Sequence, residues 1–423
     1  MKIETIGLGY IGLPTALMFA DHGAEVVGVD LSPNMIEKLN NGQVHIEEPG
    51  LQAQMTRVHE AGTFTAQLTA EEADVFIVSV PTPNRNDAFK SCDVSYVQAA
   101  VNSLLPFLKK GNIVIIESTI APRTTVDDVQ PLIESTGLVV GQDVYLAHCP
   151  ERVLPGNILH ELVHNTRIIG GVTAECSNQA AAVYARFVQG DIIKTTAGEA
   201  ELSKLMENTY RDTNIALANE LVKIGNKLKI DAHEVITMAN RHPRVNIHQP
   251  GPGVGGHCLA VDPYFVSAAA PAEALLIQTA RAVNTSMPNY IVTKVLELMS
   301  DAPTKKVTLL GLAYKGNIDD KRESPAVTIF EKLRDTHLEV TVIDEHVQLP
   351  IEEQFTMDEA FTDSSLVLVL TDHAEYKTLA TEWINKMSRP LILDTKKIVE
   401  TCPEGATLHT IGNMYRLLEG VKQ

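Results

Sequence analysis

Short apolar runs alternate with helical patterns along the first part of the chain. The runs Ile3–Ile6, Glu25–Val29, Val75–Val80, Ile113–Glu117, Val144–Ala147, Arg167–Ile169 and Ile192–Thr195 are candidate strands, and the most apolar, such as Val75–Val80 and Leu366–Leu370, have the length of buried parallel strands. Helical stretches such as Leu13–His22 and Pro33–Asn40 lie between several of them. That alternation predicts a doubly wound parallel sheet. From about Gly198 to Ser300 the strand signal stops. Gly198–Lys229 reads as one long, proline-free helix, and Asp231 with Glu234 as a capping box opening a second. Ala272–Ser300 is a further helical stretch, kinked near Pro288. Strand runs return at Val307–Leu310, Val340–Ile343, Leu366–Leu370 and Leu391–Leu393, predicting a second, smaller doubly wound domain. Its boundary falls at Ala302-Pro303-Thr304.

Charge narrows the partners. The 423 residues carry 35 basic and 53 acidic side chains, a net of -18. Such a surface repels nucleic acid and anionic membrane, so neither is an expected partner. An anionic small substrate would need local basic residues to hold it. The five cysteines, at 92, 149, 176, 258 and 402, lack the spacing of a zinc site or a redox pair. Reduced thiols in a cytoplasm are the expectation, with no metal. The N-terminus has no signal-peptide character, and the apolar runs are too short to span a bilayer.

The run Gly7-Leu8-Gly9-Tyr10-Ile11-Gly12 follows the first strand and precedes a helix, and Asp30 ends the next strand. A lone match to this glycine pattern is weak, but the strand–turn–helix context makes it a dinucleotide fingerprint. The glycines permit a tight turn and close approach of pyrophosphate, which then faces a helix N-terminus. Asp30 would accept bonds from the adenosine ribose, and no arginine follows in Leu31–Met35 to welcome a 2′-phosphate. NAD is therefore favoured over NADP. The loops Val80-Pro81-Thr82-Pro83 and Glu117-Ser118-Thr119 each follow a strong strand, where ligands sit in such sheets. Ordinary turn chemistry explains either loop equally well.

Cys258 sits in Gly255-Gly256-His257-Cys258, after the turn-rich segment His242–Gly253. Most unpaired cysteines are small buried hydrophobes. The preceding glycines leave room for backbone or ligand, which favours a nucleophile holding a carbonyl carbon between hydride transfers. Lys204 and Asn208, four apart on the long helix, could present an ammonium and an amide to an oxyanion. Glu151, in Pro150-Glu151-Arg152, could manage protons, although a glutamate beside an arginine is more often a surface ion pair. Asp262 is ambiguous alone. Lys315 and Arg322 flank an acidic loop and suit phosphate.

Taken together, GLGYIGLP, VPTP, EST, PER, SKLMEN, GPGVGGHC, AVDP, GLAYK and RESPA run in the order of the UDP-sugar 6-dehydrogenase family, which the chain resembles nearly end to end. PERVLPG and NRHPRVNIHQPGPGVGGHCLAVDPYF are most similar to its UDP-N-acetyl-D-mannosamine dehydrogenase branch. The resemblance implies two doubly wound Rossmann-like domains joined by a central helical segment. Residues 1–197 would bind NAD, 198–302 would dimerise and carry catalysis, and 303–423 would bind the UDP-sugar. It implies a four-electron, NAD-dependent oxidation of a sugar C6 alcohol to a carboxylate, for surface polysaccharide synthesis, through a cysteine thiohemiacetal and thioester. The implied catalytic set is Cys258, Lys204, Asn208, Asp262, Glu151 and Thr119. Cofactor contacts would come from Gly7, Gly9, Tyr10, Ile11, Gly12, Asp30, Pro81, Thr82, Thr119 and Arg322. Substrate contacts would come from Glu151, Arg152, Lys204, Asn208, His257, Tyr314 and Lys315, with Arg244 supplied across a homodimer. Where the UDP-glucose pattern has serine, lysine and a second glutamate, this chain has His257, Val261 and Pro155. Those departures direct the expectation to UDP-N-acetyl-D-mannosamine. The alternatives are UDP-N-acetylglucosamine or UDP-glucose as substrate, or a two-electron dehydrogenase with a structural cysteine.

Overall fold

The structure, a computed structural model, describes residues 1–350 and 353–420. The chain forms two compact units. One comprises Met1–Glu207 and Tyr264–Ala270, the other Asn208–Pro263 and the chain from Pro271 onward.

In the first unit the apolar runs form β1 (Lys2–Ile6), β2 (Glu25–Val29), β4 (Val75–Val78), β5 (Ile113–Ile116), β6 (Tyr145–His148), β7 (Arg167–Gly171) and β8 (Ile192–Thr196), with β3 (Phe64–Gln67) at one edge. The order is β3-β2-β1-β4-β5-β6-β7-β8. Pairing is parallel except between β6 and β7. Burial on both faces explains why central strands such as β4 and β5 read as unbroken apolar runs, whereas no residue of the edge strand β8 is buried. Within β4, Val75 and Ile77 join the cluster of Leu13 and Leu17, while Phe76 and Val78 face Val97 and Val101 on the other side. Each such side chain contributes about 1.5–3 kcal/mol by leaving water. The order reverses between β1 and β4, so the loops after these strands meet at the switch point where ligands bind.

The second unit repeats the plan with β9 (Lys306–Leu310), β10 (Glu339–Ile343), β11 (Leu366–Val369), β12 (Leu391–Asp394) and β13 (Thr407–Thr410), all parallel and ordered β10-β9-β11-β12-β13. Here Leu309 and Leu368 face one core and Leu310 and Val369 the other.

Two edge strands escape the apolar pattern. β3 alternates buried Phe64 and Ala66 with Thr65 and Gln67, and β13 is mostly polar. The strands expected at Val75–Val80 and Ile113–Glu117 end sooner. Their last residues leave the ladder to tie two loops together, with Val80 N–H donating to Ser118 Oγ at 2.8 Å. The helix Ala197–Leu228 is long and continuous. Asp231 caps the next helix, Ala232–Ala239, by accepting from His233 N–H at 3.0 Å. Helix Leu275–Met299 runs on through buried Pro288. No helix among the described residues is long and apolar enough to cross a membrane.

Candidate active site

At the end of β1 the chain turns at Gly7, whose φ of +93° only glycine adopts without strain. A Cβ there would lie 2.3 Å from the Ser79 carbonyl oxygen, and one at Gly12 would lie 1.9 Å from that of Gly7. Gly9 differs: its added Cβ would meet nothing within 4 Å. Two glycines serve packing, and the middle one borders open space. Helix Gly12–Asp21 begins here with no side chain capping its first turn. Leu13 N–H is taken by the Gly9 carbonyl at 3.1 Å and Pro14 has no N–H, so Gly12 N–H is the first-turn donor left to face an anion. Tyr10 is half exposed and Ile11 partly buried. Asp30, after β2, accepts from Leu8 N–H and Ser32 N–H, each at 3.0 Å, and is partly exposed. The loop therefore fits a dinucleotide: a cradle, an open glycine, a helix terminus and an accessible carboxylate.

The loops after β4 and β5 are joined. Ser118 Oγ donates to the Val80 carbonyl at 2.8 Å, and Thr82 Oγ1 donates to the Thr119 carbonyl at 2.6 Å. Pro81 is exposed, and Thr82 and Thr119 are partly buried.

Glu151 is not paired with its neighbour Arg152. Its Oε2 accepts from Arg167 Nη1 at 2.8 Å, and its Oε1 accepts from the Arg152 backbone N–H at 2.6 Å. The Arg152 guanidinium instead meets Glu207 at 2.6 Å. The side chains of Glu151 and Arg167 are only 7% and 4% exposed. Behind them Glu117 is wholly buried, 3.8 Å from Arg167 Nη1, and accepts from the hydroxyls of Thr15 and Tyr184 at 3.2 Å each. Burial, then the adjacent Glu151, raises the Glu117 carboxyl well above the ordinary range, with Arg167 opposing. Lys204, on the long helix, is partly buried. After burial itself, it helps push the buried His148 ring down to about 3.

In the second unit, two asparagines on the long helix and one capping the end of the next hold the turn-rich segment by its backbone. Asn214 Oδ1 accepts from His248 N–H at 2.8 Å, Asn219 Oδ1 from Gly251 N–H at 2.9 Å, and Asn240 Oδ1 from Ile247 N–H at 2.8 Å. Cys258 follows, exposed, and its carbonyl accepts from Val261 N–H and Asp262 N–H at 3.0 and 2.9 Å. That turn leads into helix Asp262–Ala269. Asn208 Nδ2 donates to Asp262 Oδ2 at 2.6 Å, both side chains buried. Two residues from separate motifs are thereby brought together.

The glycines before Cys258 make room for protein. An added Cβ at Gly256 would lie 2.7 Å from the Tyr314 ring, and one at Gly255 would lie 2.6 Å from the Glu323 carbonyl oxygen. The Arg322 guanidinium grips Asp320 with three bonds, at 2.9, 3.1 and 2.7 Å, and lies 3.3 Å from His257 Nδ1. Lys315 and Arg244 are exposed, the latter 3.5 Å from His242 Nε2. Sequence reasoning missed Glu117 and Arg167 as partners of Glu151. The available signal was a charge at the edge of each of two apolar strands. It also missed the asparagines, whose bonds to distant backbone leave no local pattern.

A glycine loop at a sheet's switch point, with an acid at the end of the next strand, marks a dinucleotide-binding domain suited to NAD. The chain belongs to the UDP-glucose/GDP-mannose dehydrogenase family. Models of that family match its NAD binding domain at residues 1–188, its central domain at 198–286 and its UDP binding domain at 308–401. The UDP-N-acetyl-mannosamine dehydrogenase Cap5O from Staphylococcus aureus is 54% identical, with a TM-score of 0.91 over 99% of this chain and 100% of that one. A UDP-N-acetyl-D-mannosamine dehydrogenase from Methanococcus vannielii is 44% identical over 94% of this chain and 93% of its own length. An NDP-N-acetyl-D-galactosaminuronic acid dehydrogenase from Ralstonia nicotianae is 41% identical over 93% of this chain and 95% of its own. The chain is an oxidoreductase that uses NAD and acts on a UDP-sugar.

Proposed function

We propose that the chain oxidises UDP-N-acetyl-D-mannosamine to UDP-N-acetyl-D-mannosaminuronate, for surface polysaccharide synthesis in the cytoplasm. The carrying observation is an exposed Cys258 beside the bonded Asn208–Asp262 pair, in a chain similar end to end to enzymes named for that substrate.

NAD supplies a hydride acceptor for each of the two oxidations. Gly7, Gly9, Gly12 and the helix after them hold its diphosphate, and Asp30 takes the ribose, with Tyr10, Ile11, Pro81, Thr82 and Thr119 as further contacts and Arg322 as a cation for the cofactor. A water or basic side chain of the Lys204 and Asp262 group takes the sugar hydroxyl proton. Cys258 Sγ adds to the C6 aldehyde, giving a thiohemiacetal whose oxidation leaves a thioester. Lys204 and the remaining N–H of the Asn208 amide stabilise the oxyanion. Water releases the acid with the help of Glu151. Lys315 meets the UDP diphosphate, and Arg152, His257 and Tyr314 contribute to the substrate pocket.

The chain acts as a homodimer. Leu202, Met206, Tyr210, Leu217, Ile224 and Leu228 are all exposed on the long helix. At about 100° per residue they fall within an arc of about 80°, a stripe suited to a second copy. Arg244 then serves the neighbouring copy's substrate.

The test is NADH formation on a panel of UDP-sugars. A pocket built for an acetamido group rejects an analogue lacking it by about 10⁴-fold, because buried partners stay unpaired. UDP-N-acetylmannosamine should therefore exceed UDP-glucose by that order. Better efficiency on UDP-N-acetylglucosamine, or on the galacto epimer that the Ralstonia relative's name suggests, would reassign the substrate and leave the chemistry standing.

A further inference from the structure

Hydrolysis of the proposed thioester makes a specific demand on Glu151. Water must add its oxygen to the acyl carbon, the C–S bond must break, and the departing Cys258 sulfur must carry away the electron pair. One water proton needs an acceptor whose charge and direction are fixed beforehand. Glu151 lies on a loop, not on a strand. A glutamate there would ordinarily sample many rotamers, and fixing one costs side-chain entropy.

The strand residue behind it removes that freedom. We propose that Arg167 is the positioning residue for Glu151, holding its carboxylate in the direction that thioester hydrolysis uses. The inference rests on the assignment of Cys258 and Glu151 made above.

The arrangement supports this role over a generic buried ion pair. Arg167 begins β7, so its backbone is set by the sheet. Its guanidinium carbon lies over the Tyr184 ring, 4.7 Å from the centroid, a cation–π contact that restrains the side chain. Nη1 then donates to Glu151 Oε2 at 2.8 Å. Glu117, 3.8 Å from the same nitrogen, braces the arginine from behind and is itself pinned by Thr15 and Tyr184. Glu151 Oε1 is met from another direction by the Arg152 N–H. Both oxygens are thereby directed. Two carboxylates thus share one cation, Glu151 at 2.8 Å and Glu117 at 3.8 Å from the same nitrogen.

The experiment reads the acyl-enzyme. Purified full-length protein is mixed with NAD and UDP-N-acetylmannosamine, and Cys258-containing peptides are weighed while NADH is followed from the first turnover. Glu151→Gln is the reference. Arg167→Met should give a normal first burst of NADH, then steady turnover slowed about 10²-fold or more, with acyl adduct accumulating on Cys258. Arg167→Lys keeps the charge but loses the fork, so it should accumulate less adduct and recover part of kcat, with KM little changed. It also serves if Arg167→Met does not fold. Loss confined to KM or to thermal stability, with no adduct in a folded Arg167 variant while Glu151→Gln accumulates it, would overturn the inference alone. No adduct in Glu151→Gln as well would overturn the Cys258 and Glu151 assignment and this inference with it.

Discussion

The two sheets open with the same device and finish it differently. Each has a first strand, a glycine at φ of +93° or +92° (Gly7, Gly311), and an aspartate just after the second strand, Asp30 or Asp344. Each aspartate reaches back to the glycine turn, Asp30 to Leu8 N–H at 3.0 Å and Asp344 to Leu312 N–H at 2.6 Å. Asp30 adds only Ser32 N–H and stays partly exposed. Asp344 is buried and adds the N–H groups of Ala313, His346 and Val347, and His373 Nε2 at 3.2 Å. A carboxylate has about four acceptor sites. Asp344 has spent them on its own fold, whereas Asp30 keeps capacity for a ribose. The shared motif is thus a way of closing a turn, and it becomes a cofactor site only where the acid is left unfinished.

The largest effect that would test this contrast is on Asp344. Burial alone would raise its pKa, but His373 and the backbone N–H groups of Leu312, Val347 and His346 hold it far below the ordinary 3.8. A depressed acid stabilises the fold above its unfolded pKa, and that stability is lost as pH falls through the folded value. Asp344→Asn should cost about 3 kcal/mol at neutral pH, from buried charged hydrogen bonds, and should flatten the acid limb of denaturant-melt stability below about pH 4. NAD affinity should hold. A variant as stable as the parent would mean the cage contributes nothing.

Asp30→Ala should behave in the opposite way. It should erode the preference for NAD over NADP by about tenfold or more, and cost about 1 kcal/mol of stability. Its companion is Gly9→Ala, which has room in the protein and should fold normally while weakening NAD binding in titration calorimetry. If Gly9→Ala bound NAD as the parent does, the open space beside Gly9 would not be the pyrophosphate's.

The most gradual effect, spread over several pH units, concerns Glu4, buried in β1. Burial, the leading cause, pushes its carboxyl up to about 7, despite the Glu71 N–H it accepts at 2.8 Å. A raised group favours the fold fully below its unfolded pKa, and that contribution fades as pH rises through about 7. Glu4→Gln should therefore flatten the loss of stability between about pH 4.5 and 8, by about 2 kcal/mol at most. A parallel decline in both proteins would assign it elsewhere.

The sheets were legible in the sequence because burial on both faces writes itself as apolar runs, and the glycine loop because its turn needs glycine at fixed spacing. The strands β3 and β13 were not, since polar residues interrupt or outnumber their apolar ones. Cys258 and the Lys204–Asn208 pair stood out as candidates, but the bond from Asn208 to Asp262 joins residues 54 apart and left no local mark. The same holds for Glu151. Its nearest basic neighbour in sequence, Arg152, is bonded elsewhere through its side chain, and its partner Arg167 comes from a strand that reads as core. The glycines before Cys258 were readable as space but not as to what fills it, which is Tyr314 and the Glu323 carbonyl.

The central claim is that one chain takes an alcohol to an acid without releasing the aldehyde. It is tested most directly by counting NADH formed per UDP-N-acetylmannosamine consumed, with limiting sugar and excess NAD, while the product is weighed. Two NADH per sugar, with UDP-N-acetylmannosaminuronate as the product, is the predicted result. One NADH per sugar, with free aldehyde in solution, would contradict the account and leave Cys258 a structural residue.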